Sequence, residues 1–185
     1  AKPQKRTDTE VGMYSKHDQV EYLCDYAASY LLMPDFLFLP AAQNAGYSMD
    51  GLMTLSDMFE SSLQATAIRM VSLDPKKYAM IVWEERHKPT EEKMLYQNSL
   101  FGGTEHIPEK KLRVKYGRGF DEFGHIPSHK SLDESESLIQ TAYDEDRITT
   151  GKTTLRFTNN YTVESTIYAF PQRAQSMVLT LLSLD

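Results

Sequence analysis

Along residues 20–31 and 52–71 apolar residues recur every three or four positions, whereas Tyr78 to Trp83 run together and Leu112 to Tyr116 alternate. Those are the periods of a one-sided helix and of a strand, and a segment cannot satisfy both. Asp74-Pro75 lies between them and is a firm break. The chain is therefore expected to be α+β: an N-terminal helical segment with a helix-turn-helix, then an α+β unit with a mainly antiparallel sheet.

Within the helical part, Ser15 and Asp18 suit a capping box that opens a helix over about 16–33. Val20, Leu23, Cys24, Ala27 and Leu31 mark its buried face, and Pro34 ends it. A short apolar segment, FLFLPAA, leads to Gly46. Residues 49–73 read as two short helices, with Leu52, Leu55 and Phe59 inward on the first. Leu63, Ala67, Ile68 and Val71 face inward on the second, which Ser61 and Ser62 can cap. Tyr78 to Trp83 (YAMIVW) is the run of a strand covered on both faces. Glu84 to about Lys110 reads as a long polar excursion, Leu112 to Tyr116 as a strand and Ser131 to Tyr143 as a helix over the sheet. Thr153–Phe157, Tyr161–Phe170 and Met177–Leu182 close the chain as strands with links too short for crossover helices. Boundaries are expected near residues 47 and 75, with residues 76–185 folding as a domain of their own.

With 185 residues, 41% of them hydrophobic, the chain can bury one good core or two small ones. A net charge of −6 does not favour nucleic acid or anionic membrane as partner. One cysteine, Cys24, excludes an intramolecular disulfide and suits a reducing compartment. No run of 18 apolar residues or apolar signal core is present, so a cytoplasmic, membrane-free location is expected. The first residue is not methionine and the first 12 are polar and partly basic, as in a chain that starts partway through a longer protein.

Glu21 and Asp25 stand four apart on the first helix and share a face, with His17 before them. Two acids so spaced are common on a solvated helix. The same spacing serves a zinc site, where a glutamate ligand is followed one turn later by an acid that orients a ligand histidine. The surrounding sequence, E-x-x-C-D-x-A-A-x-x-L-L-M-P, resembles the third-ligand segment of the ImmA/IrrE metallo-endopeptidase family. FESSLQATAIRMVSL is similar to that family's helix-turn-helix segment and AMIVWEE to the strand that follows in longer members. FDEFGHIPSHKSLDESESLIQTA and TVESTIYAFPQ resemble their C-terminal, GAF-like region.

The resemblance implies a zinc peptidase that cleaves helix-turn-helix repressors in stress or mobile-element responses. It makes Glu21 the third zinc ligand and Asp25 its supporting acid, with a GAF-like sensor at the C-terminus. The HExxH helix should precede Glu21, and residues 1–20 contain none. The chain is thus expected to be the C-terminal part of a family member, without activity or a tight zinc site of its own. The rival reading is a non-catalytic ligand-sensing or protein-interaction module.

Other candidates carry bland readings beside the functional ones. His17 is a surface histidine or a metal clip with Glu21, and Cys24 a buried thiol or a reactive one. The second helix of the pair holds Arg69 as its only cation, with Lys76 and Lys77 beyond, too few for specific DNA binding. A packing scaffold or a protein-docking surface suits it better. Arg113, Lys115, Arg118, His125, His129 and Lys130 form either a solvated loop or a cationic patch for an anionic small molecule. Trp83, Tyr116, Phe120, Phe157, Tyr161 and Tyr168 read as core.

Overall fold

The computed structural model describes residues 24, 27–101, 108–119, 128–132, 137–157 and 161–184. Residues 24 and 27–32 are helical (α1), followed by α2 (Asp35–Ala45), α3 (Met49–Met58) and α4 (Leu63–Leu73). Then come β1 (Tyr78–Arg86), α5 (Pro89–Phe101), β2 (Lys111–Gly119), α6 (Ser137–Glu145), β3 (Thr149–Phe157), β4 (Tyr161–Gln172) and β5 (Met177–Ser183).

The strands form one five-stranded sheet in the order β2-β1-β5-β4-β3, every neighbouring pair antiparallel. The α+β expectation and the antiparallel sheet are both met. Strand alternation gives the sheet two apolar faces. On one, Ala79, Ile81 and Trp83 of β1 join Val178 and Leu182 of β5, under Ile139, Ala142 and Tyr143 of α6. On the other, Met80, Val82, Leu179 and Leu181 meet Phe38, Leu52, Leu55, Met70 and Val71 of the helices. Across the expected boundary near residue 75, Met70 and Val71 of α4 share one apolar cluster with Met80 and Val82 of β1.

Local chemistry explains several helix ends. The Ser48 hydroxyl accepts from the Gly51 amide at 3.0 Å, and the Ser62 hydroxyl from that of Ala65 at 3.1 Å, so each caps its helix. Gly51 lets α3 lie against the turn after α2, since a Cβ there would stand 2.2 Å from the Gly46 carbonyl oxygen. At the C-terminus of α6, Arg173 donates to the carbonyls of Tyr143 and Asp144 at 2.7 and 2.8 Å.

Four sequence readings change. FLFLPAA is part of helix α2, in which Pro40 stands sixth of eleven residues and gives up one N–H of the ladder. The polar excursion contains α5, which Glu91 caps by accepting from the Lys88 amide at 2.6 Å. The helix over the sheet begins at Ser137, because Ser131 instead bridges to Arg113 of β2. On α4, Ile68 is exposed while Thr66, Arg69 and Met70 are buried.

The joint between helices and sheet includes a half-buried tyrosine. Tyr47 stacks on Tyr78 with ring centroids 3.6 Å apart and donates to the Ala79 carbonyl at 3.1 Å. Burial first, and Tyr78 second, push its ionisation well above the ordinary 10.0. A pKa raised in the folded state gives stability that is complete below the unfolded value of 10.0 and is lost as pH rises further. Alkaline unfolding should therefore begin above about pH 10 and carry a tyrosinate absorbance step that Tyr47→Phe reduces. An ordinary Tyr47 titration, with circular dichroism unchanged, would contradict the burial.

Candidate functional site

Glu21 and Asp25 lie outside the described residues, as do His17, Val20, Leu23, Phe120 and His125. The stripe they were expected to border is overturned where it can be seen. Cys24, Ala27 and Leu31 are exposed, Leu31 at 83%. Ser29 is half-buried and Met33, just past the helix, is buried, and the exposed Tyr30 ring lies against Arg69. Of the described residues of α1 only Ser29 is less than exposed, so the expected apolar stripe is not covered. Cys24 is accordingly an exposed thiol, not a buried one.

Arg69 makes that contact, and sequence reasoning missed it. Its side chain is 4% exposed, its Nε donates to the Met33 carbonyl at 3.1 Å, and it pairs with Asp35. Its guanidinium also lies 4.0 Å from the Tyr30 ring centre. One buried cation thus fastens the end of α1 and the start of α2 onto α4. A guanidinium so occupied is not presented to a phosphate backbone. The signal was available: Arg69 is the lone cation of the stretch and sits beside the apolar positions of α4.

The cationic residues of the sheet region come together only in part. Arg113 is 2% exposed; its Nε donates to the Arg86 carbonyl at 3.2 Å and it pairs with Glu91 at 3.5 Å. His129 and Lys130 meet β2 through their backbones: the His129 amide donates to the Val114 carbonyl and the Val114 amide to the Lys130 carbonyl, both at 2.8 Å. Lys115 pairs with Glu84 at 2.8 Å, and Arg118 donates to the Gly117 carbonyl. The side chains of Arg113, Lys115 and Arg118 thus face carboxylates and carbonyls along β2. Arg86 donates to the Val114 carbonyl at 2.8 Å and pairs with Glu84.

Of the aromatics read as core, Trp83 is fully buried, while Tyr116 and Tyr168 are half-buried against the helical side. Among the described residues no three His, Cys, Asp or Glu side chains are grouped to hold a metal ion. No helix among them is long and apolar enough to cross a membrane. An open depression lined by Pro89, Glu92, Lys93, Tyr96 and Gln97 lies along α5 alone and converges no reactive groups. Comparison with protein-family models finds no match, and comparison with curated proteins finds none either.

Proposed function

We propose that this chain is the C-terminal portion of an ImmA/IrrE-like zinc metallo-endopeptidase that cleaves a helix-turn-helix transcriptional repressor. The observation that carries the reading is the order of packed elements. A helix ended by Met33-Pro34 is fastened by Arg69 onto a capped helix pair, and a five-stranded antiparallel sheet follows. That is the order the sequence resemblance implies. In this reading Glu21 is the third zinc ligand of the intact peptidase and Asp25 orients a ligand histidine. The helix pair is a helix-turn-helix used as scaffold, and the sheet with α6 is a GAF-like sensor for a small molecule. The setting is a cytoplasmic stress or mobile-element response.

A catalytic zinc takes three protein ligands, and this chain offers one. The 185-residue chain should therefore bind no stoichiometric zinc and cleave no repressor. The gene product that includes an HExxH helix upstream should do both and lose both in Glu21→Gln. Zinc held by the short chain, or cleavage by the long one untouched by Glu21→Gln, would refute the assignment. A second reading, a non-catalytic interaction module, is favoured by the apolar residues exposed on α1 and α2.

A further inference from the structure

α2 is apolar nearly all round, yet Phe38 is its only buried side chain. Phe36 is 76% exposed, and Leu37 and Leu39 are exposed beside it. Leu31 and Leu32 at the end of α1 are exposed as well. These five side chains occupy nine consecutive positions, so the chain itself keeps them adjacent. Together they leave on the order of 500 Å² of apolar surface uncovered, at the upper end of what a monomer tolerates without a partner.

The charge around this surface selects its occupant. The described residues from Cys24 to Ile68 include no lysine, arginine or histidine and four acids. All four acids are exposed: Asp35 at the start of α2, Asp50 and Asp57 on α3, and Glu60 in the turn after it. The next cation, Arg69, is buried and paired. A second copy docked face to face would bring two such acidic stretches together, which like charge opposes. An anionic bilayer is repelled for the same reason. An amphipathic helix with leucines on one side and lysines or arginines along its flanks satisfies both the apolar surface and its rim.

We infer that the exposed face formed by Leu31, Leu32, Phe36, Leu37 and Leu39 is a docking surface for a cationic amphipathic helix of a partner protein. This goes beyond the peptidase reading and does not need it. The N-terminal part of a longer parent is the competing occupant, and the test separates the two.

The full 185-residue chain is titrated, by fluorescence anisotropy, with a labelled 18-residue Leu/Lys amphipathic helix and with its Leu/Glu counterpart. The Lys peptide should bind at least about 10-fold more tightly than the Glu peptide. Phe36→Ser and Leu37→Ser change no charge and alter exposed side chains, and each should weaken the Lys peptide about 10-fold while circular dichroism stays unchanged. Raising NaCl to about 1 M should weaken it several-fold, because the Debye length falls to about 3 Å. Equal binding of both peptides, or binding indifferent to Phe36→Ser, overturns the proposal as mere stickiness or bulk charge. So does a dimer that Phe36→Ser abolishes, or binding to phosphatidylglycerol vesicles in preference to the peptide. If the longer gene product no longer binds the Lys peptide, its own N-terminal part covers the face and the proposal fails, whatever its zinc and cleavage assays report.

Discussion

Trp83→Ala is expected to cost about 3–5 kcal/mol, through lost burial and the cavity left behind. Trp83 is 1% exposed, on the sheet face that α6 covers, next to Ile81 on β1 and Val178 on β5. Its indole Nε1 donates to the Thr180 hydroxyl at 3.1 Å, and that hydroxyl donates to the Ile81 carbonyl at 3.0 Å. Removing the indole therefore orphans no donor, because Thr180 keeps its own acceptor. The loss comes from packing, and Trp83→Phe should recover most of it, short of about 1 kcal/mol for the hydrogen bond. A typical domain is stable by about 5–15 kcal/mol, so the alanine variant should sit near its unfolding threshold at 25 °C. Urea denaturation followed by circular dichroism should show a much lower midpoint with little change in slope. A loss under about 1 kcal/mol would mean that Trp83 is not at the centre of that core.

What the sequence made legible followed from periodicity and punctuation. The run YAMIVW reads as a strand covered on both faces, and it is: Ala79, Ile81 and Trp83 face α6, Met80 and Val82 the helices. Ser62 was readable as a cap, and Tyr161–Phe170 as a strand. What escaped were effects that a local pattern cannot encode. Periodicity finds an apolar stripe but not what covers it, so Cys24, Ala27 and Leu31 were expected inside and stand outside. FLFLPAA was read only as a short apolar segment, and it lies within α2 with Pro40 inside the helix. Arg69 and Arg113 looked like available cations, and tertiary packing engages both with carbonyls and carboxylates. The acidic pair Glu21 and Asp25, common on a solvated helix and singled out only by the sequence around it, lies outside the described residues.

The second large effect concerns the join at residue 75. A fragment spanning residues 76–185 keeps the whole sheet and α6 but loses the cover over Met80, Val82, Leu179 and Leu181. At about 1.5–3 kcal/mol for each buried large apolar side chain, these four alone account for about 6–12 kcal/mol. That matches the entire stability of an ordinary domain. Polar ties go with it: Gln64 on α4 accepts from the Tyr116 hydroxyl at 2.9 Å and donates to Gln172 at 3.0 Å, and Tyr47 leaves Tyr78. Gly119 marks how closely the layers meet, since with φ +90° a Cβ there would press on both the Tyr78 carbonyl oxygen and Val71 of α4. The fragment is expected to self-associate, bind a hydrophobic dye and melt without a cooperative transition, while the full chain melts in one. A monomeric fragment with a sharp melt would show that the face under α6 suffices as a core. The helices would then be a passenger on the sheet, and the change of texture at Asp74-Pro75 a true domain boundary.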